Sequence, residues 1–172
     1  MAKPAVFLDR DGTIIVDKAY LDNIEGVELL PGAGAGLAGM AALGYELVLI
    51  TNQSGIGRGY FAADVVERQF DRLQALLAPF GVRMAGMEFC PHAPEQECTC
   101  RKPAPEMLLR AADRLDLDCA RSFMIGDKEA DVGAGHGAGC RSIRIGKPRP
   151  DSAADAFAGD LQAAAAWIRA HA

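Results

Sequence analysis

No run of apolar residues in this chain approaches the roughly 20 that are needed to cross a bilayer. Lysine and arginine are nowhere gathered into a sustained stretch, and the net charge is −5, from 18 basic and 23 acidic residues. The first absence argues against a membrane span, the second against nucleic acid as a general partner. A phosphate ligand would have to be met by local cations, not by a global positive field. Only a few residues separate Met1 from the first apolar run, which leaves no space for a signal peptide and points to the cytoplasm. At 172 residues there is room for one domain, 1–172, with one core, and little for a second. Half of the chain is hydrophobic and 24% is charged, a balance that excludes disorder. A monomer acting on a small molecule is the expectation.

What is present begins with Ala5-Val6-Phe7-Leu8, an apolar run that reads as a buried strand, and Asp9-Arg10-Asp11-Gly12-Thr13, a tight turn at its carboxyl end. Ligands of open α/β sheets sit at that end. Two carboxylates one residue apart, on a turn that Gly12 can bend, make a compact anionic pocket suited to a hard cation such as Mg²⁺. A cation there would draw in a phosphate. One carboxylate would then serve as an aspartyl-phosphate nucleophile and the other as acid and later base. By itself Asp-x-Asp-Gly fits a solvated turn or a calcium loop equally well; its weight comes from the remaining motifs.

Further apolar runs predict strands over Tyr45–Ile50, Met84–Phe89, Ser122–Ile125 and, last, Ser142–Ile145. Between them, helices are expected from Leu30-Pro31-Gly32 to about Leu43 and over Ala63–Ala78, the latter with Val66, Phe70, Leu73 and Leu77 on its buried stripe. Others are expected from Pro103-Ala104-Pro105 to about Leu115 and from Glu129 to about Ala138. A C-terminal helix carries Phe157, Leu161, Ala165 and Ile168 inward, and Ile14–Pro31 reads as a loop near the mouth of a site. Strand and helix in alternation imply an α/β fold, a Rossmann-like, doubly wound parallel sheet with helices on both faces. Asp9, Thr51 and Asp127 each follow an apolar run directly, which puts them at one edge of one sheet.

Phosphate monoesters resist hydrolysis so strongly that enzymes supply rate factors up to roughly 10²¹. Asp9, the first polar group off the strand, is the expected nucleophile, and Asp11 the acid and base. Asp127 would complete the Mg²⁺ site and Asp131, one turn later, would brace it. The Thr51 hydroxyl would hold phosphoryl oxygens and Lys102 would supply fixed positive charge. Cys90-Pro91-His92 and Cys98-Thr99-Cys100 offer three thiolates and an imidazole within eleven positions. Cys₃His is a structural Zn²⁺ set. A disulfide is disfavoured in the cytoplasm, and cysteines that serve only as buried hydrophobes are not usually clustered. A zinc-locked loop over about 90–102 would deliver Arg101 and Lys102 to the site. Cys119 and Cys140 are left over as structural cysteines, and His136 and His171 carry no assigned role.

Asp9-Arg10-Asp11-Gly12-Thr13, Thr51, Lys102-Pro103 and Gly126-Asp127-Lys128 with Asp131 resemble, in order, the four motifs of the haloacid dehalogenase-like (HAD) phosphatases, over essentially the whole chain. The resemblance implies Mg²⁺ bound by Asp9, the backbone carbonyl of Asp11, and Asp127. No interval between motifs is long enough for a large cap domain, so a capless, open site is implied, with the zinc loop selecting substrates. Thr51 to Phe61 and the zinc loop look like those of the D-glycero-D-manno-heptose 1,7-bisphosphate 7-phosphatases, which serve nucleotide-activated heptose synthesis for lipopolysaccharide and surface glycans. The histidinol-phosphate phosphatase type, the alternative, usually has an acidic residue in place of Ser54 and lacks the Arg58-Gly59-Tyr60 that follows. A non-catalytic zinc-and-phosphate-binding module is a further alternative, against which the full acidic set argues. By the same analogy Arg101 recognises the distal part of the substrate, and Asp17, Lys18, Ala19, Tyr20, Asn52, Gln53, Ser54 and Lys128 line its path.

Overall fold

A computed structural model describes residues 1–172. Its centre is a six-stranded sheet in the order β3-β2-β1-β4-β5-β6, comprising β1 (Ala5–Leu8), β2 (Glu46–Asn52), β3 (Gly86–Cys90), β4 (Phe123–Gly126), β5 (Arg141–Ile145) and β6 (Ala156–Ala158). All neighbours pair in parallel, with Val6 beside Leu47 on one side and Phe123 on the other. Because side chains of a strand alternate between faces, each central strand feeds two cores. Val6, Leu8, Leu47, Leu49 and Ile125 face one layer, formed by α1 (Ala33–Ala42), α3 (Ala63–Leu77) and α6 (Leu161–His171). Ala5, Phe7, Val48, Ile50 and Met124 face the other, formed by α4 (Glu106–Leu115) and α5 (Glu129–Gly137). The doubly wound arrangement expected from strand–helix alternation is the one observed. No helix is long and apolar enough to cross a membrane.

The glycines of α1 weaken it as an isolated helix, yet they set its packing. A Cβ at Gly36 would lie 2.5 Å from the Leu161 carbonyl carbon, so only glycine lets α1 come this close to α6. The loop from Ile14 to Pro31 carries no regular element beyond isolated bridges from Ile15, as its lack of period indicated.

Most strand and helix ends fall within a few residues of expectation, and four features differ more. The strand ending at Ser142–Ile145 is not the last, because β6 adds an edge beside it through Ala156, buried against Ile143. Phe157 therefore lies in a strand rather than on the helix stripe. The helix cannot begin until Asp160, whose carboxylate caps it by accepting from the Ala163 N–H at 2.8 Å, a cap worth about 1 kcal/mol. On α3 the stripe is Val66, Gln69, Leu73 and Leu77, and Phe70 is only half buried. Strand β2 runs two residues past Ile50, so Thr51 and Asn52 are strand residues, and a one-turn helix, α2 (Ser54–Gly57), follows at once.

Candidate active site

The carboxyl ends of β1, β2 and β4 converge on one point. The Asp9 N–H donates to the Ile125 carbonyl at 2.9 Å, which continues the β1–β4 ladder one residue beyond the strand and fixes where Asp9 emerges. The chain then turns through Gly12, whose φ is +79°. A Cβ there would stand 2.5 Å from Asp127 Oδ2, so glycine is required both by conformation and by the approach of that carboxylate.

Lys102 lies at the centre with 3% of its side chain exposed. Its ammonium donates to Asp9 Oδ1 at 2.8 Å, Asp131 Oδ1 at 2.7 Å and the Ile50 carbonyl at 2.8 Å, which uses all three protons. Burial alone would lower its pKa; the charges of Asp9 and Asp131 outweigh that and hold it above the ordinary lysine value. The main chain of Lys102 is gripped from both sides by Asn52, which accepts from its N–H at 3.0 Å and donates to its carbonyl at 3.2 Å.

Carboxylate oxygens of Asp9, Asp127 and Asp131 lie within 4.8 Å of one another. Asp131 spends both of its oxygens, one on Lys102 and the other accepting the Lys128 N–H at 3.0 Å, so it acts as a brace. Asp127 is different: its Oδ1 is buried with no hydrogen-bond partner. Burial, and then the charge of Asp9, push its pKa up to about 7. An orphaned carboxylate oxygen beside a second carboxylate is a site in want of a hard cation, and the donor set of Asp9 and Asp127 fits Mg²⁺.

The Asp11 carboxylate stands outside this group of three, although Asp11 lines the same cavity as Asp9. Arg10 takes it in a forked grip, Nε to Oδ2 at 3.0 Å and Nη2 to Oδ1 at 3.1 Å, and Gln53 Nε2 donates to Oδ2 at 3.2 Å. Arg10 is itself only 4% exposed and is held by Gln69 Oε1 at 2.6 Å and Gln53 Oε1 at 3.2 Å. Gln69 in turn donates to the Leu21 and Asn23 carbonyls. Arg10 and Gln69, which the motif reading missed, together hold the Asp11 carboxylate. The available signal was a cation between two aspartates and a lone glutamine at the i+3 position of an apolar stripe. Gln53 also donates to Thr51 Oγ1 at 2.8 Å, which leaves the Thr51 hydroxyl proton free for a ligand.

Outside this centre a cleft of about 340 Å³ is lined by Asp17, Tyr20, Ser54, Arg58, Arg101 and Lys128 among others, with Ala19, Asn52 and Gln53 also on its wall. A smaller cavity of about 200 Å³ continues inward to Asp9, Lys102 and Asp131. Lys18 is not brought to either; its ammonium turns away to the Gly26 carbonyl at 2.9 Å and Glu28 at 3.0 Å.

The sulfurs and imidazole of the loop after β3 are gathered as the spacing suggested. Sγ of Cys90 and Cys98 are 3.8 Å apart, those of Cys90 and Cys100 3.1 Å, and His92 Nδ1 lies 3.4 Å from Cys90 and 3.3 Å from Cys100. A tetrahedral ion at about 2.3 Å from sulfur sets sulfurs about 3.8 Å apart, which Cys90 and Cys98 meet and to which Cys90 and Cys100 would have to widen. Burial, and then the neighbouring Cys100 thiol, push the Cys90 thiol up to about 12. A bound cation would remove that penalty.

A family model described as HAD-hydrolase-like matches residues 99–164. The chain is 43% identical over 155 residues to the D-glycero-beta-D-manno-heptose-1,7-bisphosphate 7-phosphatase of Pasteurella multocida, covering 85% of this chain and 84% of that protein. It is 48% identical over 132 residues to the protein of the same name from Helicobacter pylori strain J99, covering 76% of each. Among solved structures, the D,D-heptose 1,7-bisphosphate phosphatase of B. bronchiseptica, complexed with magnesium and phosphate, superposes with a TM-score of 0.86 at 29% identity over 98% of this chain and 99% of that one.

Proposed function

From the premise that this chain belongs to the D-glycero-beta-D-manno-heptose-1,7-bisphosphate 7-phosphatases, a group of HAD-like hydrolases, we propose that it removes the 7-phosphate of that sugar through an aspartyl-phosphate on Asp9. The observation that carries this reading is Lys102: a buried ammonium, saturated by Asp9, Asp131 and a carbonyl, directly beside an aspartate pair that wants a divalent cation. The Asp9 oxygen not held by Lys102 attacks phosphorus and a P–O bond forms as the bond to the sugar oxygen breaks. Asp11, released from the grip of Arg10 and protonated as substrate binds, gives its proton to that oxygen; it then takes a proton from the water that attacks phosphorus, which releases phosphate and restores Asp9. Thr51 donates to a phosphoryl oxygen, and Lys102 holds the charge developing on the group in transfer. Asp9, Asp127 and the Asp11 carbonyl would hold Mg²⁺, which would supply further charge neutralisation.

In this reading residues 1–172 work as one cytoplasmic, monomeric domain. Cys90, His92, Cys98 and Cys100 would hold Zn²⁺ as a structural ion, which would fix the loop that carries Arg101 and Lys102. Asp17, Ala19, Tyr20, Asn52, Gln53, Ser54, Arg101 and Lys128 meet the sugar and its second phosphate. The relatives favour the heptose bisphosphate over histidinol phosphate. Asp9→Asn is expected to lower kcat for phosphate release from the heptose bisphosphate by at least about 10⁴-fold, with circular dichroism and zinc content unchanged. Retained turnover would overturn the nucleophile, and a higher kcat/KM of the unmutated enzyme on histidinol phosphate would overturn the substrate.

A further inference from the structure

The outer cleft holds more positive charge than transfer of one phosphoryl group requires. Lys102 serves the reacting group from within the sheet edge; Arg101 and Lys128 line both the inner cavity and the cleft, and Arg58 lines the outer cleft alone. Arg101 and Lys128 have no carboxylate partner, and the one partner of Arg58 is weakly held. Arg58 Nη2 reaches Glu95 Oε1 at 3.4 Å, and the Glu95 side chain is 69% exposed. A long ion pair in such a position contributes little and yields readily to a better anion.

The surroundings of Arg58 keep it poised while leaving it able to move. Its backbone N–H closes α2 by donating to the Ser54 carbonyl at 3.0 Å, so the residue is anchored one turn from a cleft-lining serine. Its guanidinium sits 5.8 Å from the centroid of the Tyr20 ring, and that ring meets Tyr60 edge-on at 5.0 Å. Ala19 and Tyr20 both have positive φ, +43° and +48°, a conformation that costs a non-glycine residue energy. The Asp17 carboxylate holds that turn by accepting from the Ala19 N–H at 3.0 Å. Strain maintained in order to set one tyrosine under one arginine, at the wall of a ligand cleft, is the mark of a recognition element.

We propose that Arg58 is a specificity residue for the non-reacting phosphate of a sugar bisphosphate: it exchanges Glu95 for that phosphate when substrate enters, and Tyr20 and Tyr60 set its direction. This rests on the reading of the substrate as a bisphosphate. The test compares kcat/KM for D-glycero-β-D-manno-heptose 1,7-bisphosphate with kcat/KM for p-nitrophenyl phosphate, which has no second anionic group. In Arg58→Gln the ratio of the two falls roughly tenfold to a hundredfold, through KM for the bisphosphate, as loss of a charge-assisted contact requires. Arg58→Lys recovers part of it, and Glu95→Gln, which frees the guanidinium, raises the ratio. A ratio unchanged in Arg58→Gln overturns the assignment, and no rise in Glu95→Gln overturns the exchange. A wild-type enzyme that hydrolyses p-nitrophenyl phosphate with no preference for the bisphosphate overturns the substrate reading itself, and Arg58 with it.

Discussion

The carboxylates at the sheet edge and the thiols of the loop after β3 meet the same electrostatic problem, the gathering of groups that repel once ionised, and they meet it differently. Asp9, Asp127 and Asp131 sit on the rigid ends of β1 and β4 and the first turn of α5, around a lysine that already neutralises part of their charge. Cys90, His92, Cys98 and Cys100 hang mostly on irregular backbone and have no cation of their own. The first cluster keeps a buried carboxylate oxygen of Asp127 unpaired, beside an aspartate that lines a cavity. The second turns its donors toward one another, and none of them lines the cleft. Hard donors left open suit chemistry, and soft donors closed on themselves suit structure.

Lys102 joins the two regions, because it lies two residues past Cys100 while its ammonium lies among the carboxylates. Lys102→Met is expected to show the largest effect. It removes the charge that stabilises phosphoryl transfer, lowering kcat by about 10³-fold or more, and it leaves Asp9 and Asp131 buried without a counter-charge, at a cost of about 3–5 kcal/mol. Steady-state kinetics and chemical denaturation measure the two separately. A variant that loses activity without losing stability would show that the aspartates do not depend on this ammonium in the resting protein.

Cys98→Ser should act through the loop alone. Zinc content falls, and kcat/KM for the sugar bisphosphate falls roughly tenfold as Arg101 and Lys102 lose their fixed positions. Affinity of the purified protein for Mg²⁺, measured calorimetrically, is expected to remain within about threefold, since no thiol touches the aspartate group. Wild-type kinetics in a fully zinc-loaded variant would remove the structural role of Cys98. An equal loss of Mg²⁺ affinity would mean that the two clusters are one unit.

The rigid region was the legible one. An apolar run that stops at an aspartate says both where a strand ends and what stands there, which makes Asp9 and Asp127 readable from the sequence. The cysteine cluster was legible from ligand type and proximity. The direction of the Asp11 side chain was not, because it depends on Arg10, and Arg10 depends on Gln69, 59 residues away on a helix whose hydrophobic pattern favours Phe70. A buried guanidinium needs acceptors more than the core needs one more ring, and that competition is settled only by tertiary contact. The strand β6 was hidden for a simpler reason. Phe157 and Leu161 are four residues apart and mimic a helical stripe, while the Asp160 cap that separates them is one polar letter.

The contrast between open carboxylates and closed thiols extends to protons, where the effect is smaller but its sign is fixed. In the metal-free protein Asp127 titrates at about 7, raised from 3.8 by burial and by Asp9. The folded state thus keeps a proton that the unfolded chain gives up, and the stability this contributes is fully present below about 3.8 and lost as pH rises through about 7. Mg²⁺ replaces that proton. The rise in Tm that Mg²⁺ produces should therefore be slight at pH 5, grow toward pH 7 and level off above it, with affinity weakening up to about tenfold per pH unit below 7. Zinc, competing with three thiols of which Cys90 titrates near 12, should gain affinity more steeply and go on gaining above pH 7. Thermal shift with Mg²⁺ across pH 5 to 8, beside a chelator competition for zinc over the same range, reads both. A Mg²⁺ increment that is flat with pH would mean that Asp127 carries no proton to displace, and the two clusters would then differ in donor chemistry alone.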